Sequence, residues 1–146
     1  MPRPLPFVAV LGFSLLVSAL GSGLAVASRT VHVDLGETVD GHMTVTSNVD
    51  KVKAGKVTFD VINDSKNMEH EFLVARLNGS LKNVPFDKSK DIVKEAALKG
   101  VRELGDLKPG KSGDMTLALK PGKYLLFCNI PGHYEAGMHE VLTVTR

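Results

Sequence analysis

One short stretch near the C-terminus decides how this chain is interpreted: Cys128-Asn129-Ile130-Pro131-Gly132-His133-Tyr134-Glu135-Ala136-Gly137-Met138. It places a thiol, an imidazole and a thioether at two equal spacings of five residues, and Cys128 is the only cysteine of the chain. Proline fixes its own backbone angle and glycine relaxes the next one, so Pro131 and Gly132 favour a tight turn that presents His133. The stretch therefore predicts a loop that carries three metal-binding side chains.

A fourth metal-binding side chain lies far upstream, where His70 stands in Asn67-Met68-Glu69-His70-Glu71-Phe72 at the start of an apolar run. Two imidazoles and a thiolate in one plane, with a weakly bound methionine on the axis, form the copper site of blue electron-transfer proteins. A zinc or disulfide framework would need more cysteines. The donor set predicts one copper ion with four ligands: His70, Cys128, His133 and Met138.

The N-terminal segment has the composition of an export signal. Arg3 precedes an apolar run from Phe7 to about Leu20, and Ala25-Val26-Ala27 fits the small-residue pattern of a signal-peptide cleavage site. We expect residues 1–27 to be a signal peptide and the mature protein to be periplasmic or extracellular. An uncleaved membrane anchor is the alternative, because apolar and small residues continue from Leu5 to Ala27, roughly the length that crosses a bilayer.

Export makes the single cysteine informative. A free thiol in an exported protein is exposed to oxidation. A thiolate that is bound to copper and buried escapes this fate, whereas the alternative role for Cys128 is that of an inert core residue. The spacing of Cys128 from His133 and Met138 favours metal ligation over a purely structural cysteine.

Residues 28–146 fit one copper-binding domain. Without the signal segment, 119 of the 146 residues remain, enough for a single core and too few for two domains. The charge of this domain is nearly balanced, because 17 basic residues face 16 acidic ones once Arg3 is removed. Nucleic-acid-binding domains show a clustered basic excess, which this domain lacks. We expect a monomer without a nucleic-acid partner.

The domain has the pattern of an all-β protein. Apolar and polar residues alternate along short segments that turn residues separate from one another. About seven strands at this spacing indicate a β-sandwich. The predicted strands are Val31 to Leu35, Val39 to Thr46, Val57 to Val61, Phe72 to Leu77, Met115 to Leu119, Lys123 to Cys128, and Glu140 to Thr145.

One segment breaks the strand pattern. The residues from Asp87 to Lys99 favour a short helix, because Ser89 can serve as its N-cap and Gly100 as its stop. Ile92 and Val93 lie on the apolar face of this helix. We expect that face to dock on the sandwich.

Two turns repeat nearly the same residues: Leu107-Lys108-Pro109-Gly110-Lys111 and Leu119-Lys120-Pro121-Gly122-Lys123. Proline followed by glycine suits the two central positions of a type II turn. We expect each turn to reverse the chain between antiparallel strands.

The ligand segments resemble those of a known family. The loop from Cys128 to Met138, together with the His70 segment, resembles the cupredoxins, or type I blue-copper proteins, and its spacing is similar to that of their auracyanin and rusticyanin members. The resemblance implies a Greek-key β-sandwich over most of residues 31–146. It also implies four ligands for one type I copper ion: His70, Cys128, His133 and Met138.

One residue departs from the better-known members of the family. Azurin and plastocyanin carry asparagine after the first histidine, where this chain has Glu71. That asparagine helps to tie the two ligand segments together, and an ionised glutamate cannot donate a hydrogen bond in its place. The backbone N–H of Glu71 can still reach the sulfur of Cys128. We therefore expect the departure to affect the reduction potential rather than the existence of the site.

The sequence favours electron transfer over catalysis. A full set of four ligands leaves no open position for a small-molecule substrate, so we expect a carrier of single electrons and not an enzyme. By analogy with the family, transient redox partners are expected to dock near His133, with Pro131, Tyr134 and Ala136 forming the contact patch. The alternative function is a copper chaperone or copper-tolerance protein that delivers or sequesters the metal.

Overall fold

The computed structural model describes residues 29–146, which form eleven β-strands and two short 3₁₀-helices. The predicted signal peptide or anchor, residues 1–27, lies outside the described residues. Residues 29–146 contain no helix that is long and apolar enough to cross a membrane. In chain order the strands are β1 (Arg29–Glu37), β2 (Met43–Ser47), β3 (Lys51–Lys53), β4 (Gly55–Asn63), β5 (His70–Arg76), β6 (Phe86–Asp87), β7 (Ile92–Val93), β8 (Lys99–Leu107), β9 (Ser112–Leu119), β10 (Gly122–Phe127) and β11 (His139–Thr145).

Two sheets pack together into the β-sandwich that the sequence predicts. One sheet has the strand order β2-β1-β4-β9 and the other has the order β3-β11-β10-β5-β8. Strands that are consecutive in the chain repeatedly lie in different sheets, as β4 and β5, β8 and β9, and β9 and β10 do. Such crossings between the sheets are typical of Greek-key sandwiches. The predicted all-β sandwich is confirmed.

Alternating residues of the four-stranded sheet fill the space between the two sheets. β1 and β4 run parallel, with Val31 opposite Phe59, and both side chains are fully buried. Across the core, the ring of Phe59 lies 5.6 Å from the ring of Phe72 on β5. Burial of each such side chain contributes about 1.5–3 kcal/mol to folding. This core holds the inner faces of the two sheets together.

Two inner strands of the five-stranded sheet, β5 and β10, are buried on both faces along most of their length. The fully apolar parts of these strands, residues 72–75 and 124–127, are the buried ones, as expected for strands that are covered from both sides. The outer face carries a second cluster, made of Leu73, Ala75, Leu77, Val93, Leu125, Phe127 and Tyr134. The chain between β5 and β8 covers this cluster together with the loop after β10. The strand that begins at His70 and the strand that ends just before Cys128 are thereby enclosed from both sides.

The predicted helix over residues 87–99 is wrong. β6 and β7 form a two-stranded ribbon in which Phe86 pairs with Val93, and only a short 3₁₀-helix follows. Asp91, between the two strands, has a φ of 58°, which interrupts any right-handed helix. The backbone N–H of Val93 donates instead to the side chain of Asn129 at 2.6 Å. Tertiary hydrogen bonds and packing here outweigh local helix propensity, although the apolar face does dock at Val93.

The two Pro-Gly turns carry the chain from one sheet to the other. In the first, the N–H of Lys111 donates to the carbonyl of Lys108 at 2.9 Å, and Gly110 has the φ of 71° that a type II turn requires. This turn joins β8 to β9, and the second joins β9 to β10. The strands joined by each turn lie in different sheets and are not paired with each other.

Asn63, at the end of β4, organises the chain that leads to His70. Its fully buried side chain donates to the carbonyl oxygens of Met68 at 2.8 Å and of Leu107 at 2.7 Å. Its side-chain oxygen accepts from the N–H of Ser65 at 3.0 Å. These three bonds close the loop between β4 and β5 and connect it to the end of β8.

We predict that Asn63→Ala lowers the free energy of unfolding by about 2–4 kcal/mol, because three hydrogen bonds with net values of roughly 0.5–1.5 kcal/mol each are lost in a buried place. Urea unfolding of the purified protein measures the change. Asn67→Ala is the matched control, since Asn67 is exposed, and we expect it to stay within about 0.5 kcal/mol of the wild type. Equal losses in the two variants would contradict the role of Asn63.

Candidate metal centre

Three side chains with metal-binding atoms converge at one end of the sandwich. His70 is the first residue of β5, Cys128 directly follows β10, and His133 lies in the loop between β10 and β11. The ligand atoms of these three residues all lie within 4.8 Å of one another. No other group of three histidine, cysteine or acidic side chains comes this close within residues 29–146.

The converging atoms are Nδ1 of each imidazole and the cysteine sulfur. Nδ1 of His70 lies 3.2 Å from Nδ1 of His133, which in turn lies 3.4 Å from Sγ of Cys128. The two rings meet edge to face, with centroids 5.1 Å apart and an interplanar angle of 67°. Two nitrogens and one soft sulfur that face a common point are the equatorial donor set of a type I copper site. The residues present therefore fit copper.

Burial shifts the pKa values of all three groups. It lowers the pKa of His70, which neighbouring His133 lowers further, and it also lowers the pKa of His133. Neutral imidazoles have the free lone pair that a metal ion needs. Burial raises the pKa of the Cys128 thiol to about 11. In the metal-free protein the sulfur therefore carries a proton, which an incoming metal ion displaces.

The predicted contact between Glu71 and the sulfur is present. The backbone N–H of Glu71 lies 3.5 Å from Sγ of Cys128 and donates to it. Since β5 and β10 are neighbours, with Leu73 opposite Phe127, this bond follows directly from the register of the sheet. Hydrogen bonds to a copper-bound sulfur stabilise the thiolate and tune the potential.

The side chain of Glu71 also links the two ligand segments, by accepting a hydrogen bond. Its Oε1 accepts from the backbone N–H of Asn129 at 2.9 Å. Burial raises the pKa of Glu71 to about 7, whereas the bond from Asn129 lowers it. The connection that asparagine makes in azurin and plastocyanin is therefore kept here through an acceptor side chain.

Asn129 is a structural residue that sequence reasoning missed. Its Nδ2 donates to the carbonyl of Val93 at 3.1 Å and to Oε1 of Glu95 at 2.7 Å, and its Oδ1 accepts from the N–H of Val93. It thus fastens the residue after Cys128 to the ribbon that covers the sheet. The signal available in the sequence was a polar residue at the end of the apolar run of β10, directly beside the cysteine.

Met138 lies at the base of the loop and is fully buried. Its N–H donates to the carbonyl of His133 at 3.0 Å, and its carbonyl accepts from the N–H of Cys128 at 3.1 Å. His139 is turned elsewhere: its Nδ1 lies 3.0 Å from the carbonyl oxygen of Tyr134, and its ring stacks on that of Tyr134. His139 accordingly does not belong to the metal-binding group.

The surface around His133 differs from the expected patch in one residue. His133 is partly exposed, and Pro131 and Ala136 are exposed. Tyr134 is only 8% exposed and packs on Phe127 with ring centroids 6.2 Å apart. Tyr134 is therefore part of the outer cluster and not of an exposed contact patch, because its ring fills the space over the five-stranded sheet.

The family model described as copper binding proteins, plastocyanin/azurin family, matches residues 19–145. The chain belongs to this family. Auracyanin-B of Chloroflexus aurantiacus is 52% identical over 40 residues, a match that spans 27% of this chain and 17% of that protein.

Solved structures share the fold of this cupredoxin. Reduced auracyanin from Roseiflexus castenholzii has a TM-score of 0.57 at 23% identity, covering 82% of this chain and 99% of the other. Rusticyanin from Thiobacillus ferrooxidans has a TM-score of 0.56 at 21% identity, covering 82% and 79%. Family membership and the converging His70, Cys128 and His133 identify copper as the cofactor, in a single type I site. The protein is a blue copper protein.

Gly137 allows the ligand loop to close against the four-stranded sheet. Its φ is 115°, and a Cβ at this position would lie 2.6 Å from the backbone oxygen of Met43, the first residue of β2. Both the backbone angle and the close approach require glycine. The position of neighbouring Met138 therefore depends on Gly137.

We predict that Gly137→Ala lowers the free energy of unfolding by about 2–5 kcal/mol through backbone strain and overpacking. We also expect it to weaken copper binding, because the displaced loop carries His133, one of the three converging residues. Gly110→Ala is the matched control, since Gly110 has a φ of 71° with nothing near the added Cβ, and strain alone costs about 1–2 kcal/mol. Denaturant unfolding and a copper competition titration measure the two effects. A Gly137 variant no weaker in either measurement than the Gly110 control would contradict the packing argument.

Proposed function

We propose that the protein is an exported carrier of single electrons between redox partners, and that its copper ion has four ligands: His70, Cys128, His133 and Met138. The observation that supports this most strongly is the convergence of two Nδ1 atoms and one sulfur at the buried end of the sandwich. Bound copper supplies the one-electron exchange between Cu(I) and Cu(II). The family and the donor set agree on this chemistry.

The contribution of the protein is to hold one arrangement of side chains for both oxidation states. His70 and Cys128 stand at the ends of two paired central strands that are buried on both faces. Asn63 fixes the loop before His70, and Asn129 fixes the chain after Cys128. A scaffold of this kind limits rearrangement during electron exchange, which favours a carrier.

The exposure of the four residues favours His133 as the point of electron exit. His70, Cys128 and Met138 are completely buried, whereas His133 is partly exposed. Exposed Pro131 lies beside it in the loop. A partner that covers this small surface would come closer to the metal centre through His133 than through any of the other three residues. Redox encounters use such small, transient interfaces.

Further parts of the proposal concern the whole protein. We infer that residues 1–27 direct export to the periplasm or the cell exterior, and that the mature domain is monomeric. We also infer that it acts on no small-molecule substrate and is not an enzyme. The alternative, a copper chaperone or copper-tolerance protein, differs in the fate of the metal, because delivery requires copper to leave the site.

We predict that the copper-loaded, oxidised protein has an intense visible absorption band, because the sulfur of Cys128 donates charge to Cu(II). Cys128→Ser abolishes the band, since a hydroxyl replaces the thiolate. His42→Ala is the control and keeps it, because His42 is an exposed histidine outside the converging group. Absorption spectra after addition of one equivalent of Cu(II) make the comparison. A wild type without the band, or a Cys128→Ser variant that retains it, would contradict the proposed ligand set.

We predict that an optical redox titration is reversible and that copper stays bound through repeated cycles, because the buried Cys128 and His70 would hold the ion in both oxidation states. Copper content after each cycle, measured by elemental analysis, tests retention. The chaperone alternative predicts the opposite result, in which a Cu(I) chelator such as bathocuproine removes the reduced metal within the time of the titration. Rapid and complete removal would reject the carrier.

A further inference from the structure

The second nitrogen of His70 has no hydrogen-bond partner. Nε2 of His70 is the one buried side-chain nitrogen or oxygen without a partner among residues 29–146. The side chain is completely enclosed, and a buried polar group that lacks a partner costs roughly 1–3 kcal/mol. Because Nδ1 faces the converging donor atoms, Nε2 carries the proton whenever Nδ1 binds a metal ion. His70 therefore requires an acceptor on the side away from the metal.

A carboxylate lies close to this nitrogen. Oε1 of Glu37 lies 3.8 Å from Nε2 of His70, and the Glu37 side chain is 22% exposed. The hydroxyl of Ser65 donates to the same carboxylate oxygen at 2.6 Å. A carboxylate oxygen can accept more than one hydrogen bond, so Glu37 can serve both donors at once.

We propose that Glu37 is a positioning residue of the copper site. Its carboxylate accepts a hydrogen bond from Nε2–H of His70, and this bond fixes the orientation of the ring and tunes the reduction potential of the copper. The inference rests on the proposed function, because it requires His70 to be a ligand. An approach of about 1 Å converts the present contact into a charge-assisted hydrogen bond of roughly 2.7–2.9 Å. Pairs of carboxylate and imidazole behind a metal orient the ligand and raise its basicity.

The surroundings of Glu37 support this role. Ser65 is itself held from two sides, because its N–H donates to Asn63 and its hydroxyl accepts from the N–H of Met68 at 3.2 Å. The carboxylate is therefore anchored by the same loop that delivers His70. The negative charge of Glu37 acts to raise the pKa of both His70 and His133, against the stronger effect of burial.

The contact also joins the two sheets. Glu37 is the last residue of β1 in the four-stranded sheet, and His70 is the first residue of β5 in the five-stranded sheet. A hydrogen bond between them would hold the ring from the sheet opposite its own. The orientation of His70 would then depend on the packing of both layers.

Three variants separate positioning from simple charge. Glu37→Gln removes the charge but keeps an acceptor oxygen, whereas Glu37→Ala removes both. Asp64→Asn is the matched control, because the charge of Asp64 acts on His70 while no hydrogen bond joins the two side chains. The readouts are the reduction potential from an optical titration and the hydrogen exchange of His70 Nε2–H in the diamagnetic Cu(I) protein, followed by NMR.

We expect a slowly exchanging, downfield Nε2–H signal in the wild type. Glu37→Ala accelerates its exchange at least about tenfold, which corresponds to a loss of roughly 1.4 kcal/mol of protection. Glu37→Gln largely preserves protection and raises the potential more than Asp64→Asn does, because the charge of Glu37 acts on His70 more strongly than that of Asp64 and a negative charge stabilises Cu(II) over Cu(I). Asp64→Asn leaves the exchange rate unchanged.

Two results would overturn the inference. The first is that Glu37→Gln shifts the potential no more than Asp64→Asn and that Nε2–H exchanges rapidly in the wild type, in which case Glu37 does not position His70. The glutamine variant has nearly the same shape as the wild type, so it decides this point even if the alanine variant does not fold. In that case the visible band of the wild type still upholds the proposed function. A wild type that lacks the band rejects the ligand set, and the inference falls with it.

Discussion

The close placement of two imidazoles and one thiol in a buried position is the constraint on which the rest of the structure depends. Nδ1 of His70, Nδ1 of His133 and Sγ of Cys128 are polar atoms that gain little from burial by themselves. Surrounding apolar packing holds them together while keeping the imidazoles neutral. The two-sided burial of β5 and β10 supplies this packing. The apolar packing that stabilises the fold therefore also sets the protonation state of the metal-binding imidazoles.

The buried end of the sandwich uses both sheets. The five-stranded sheet carries His70 and leads into Cys128, while the four-stranded sheet contributes Glu37 and the backbone oxygen of Met43 that lies against Gly137. Separation of the sheets at this end would disturb both contacts. The metal centre is therefore sensitive to the packing between layers, and the large inner core is part of what keeps it ordered.

The sequence predicted those features that depend on local pattern. Alternation identified β1 and β4, and ligand spacing identified the group around Cys128, because each signal lies within a few neighbouring residues. The helix over residues 87–99 was wrong because the decisive bonds come from Asn129, distant in the chain. β8 was missed because its pairing with β5 shifts register twice, which breaks the regular alternation. The acceptor role of Glu71 likewise depends on a partner 58 residues away.

In the proposed site, each of the two histidines meets one of two conflicting requirements. A potential set by the protein requires an enclosed ligand with fixed partners, and electron exchange requires a ligand that a partner can approach. His70 meets the first requirement, since it is fully buried beside Glu37. His133 meets the second, since it is partly exposed in a loop. Because burial favours the less charged Cu(I) state and a nearby carboxylate favours Cu(II), the balance at His70 can be tuned without altering the surface that a partner meets at His133.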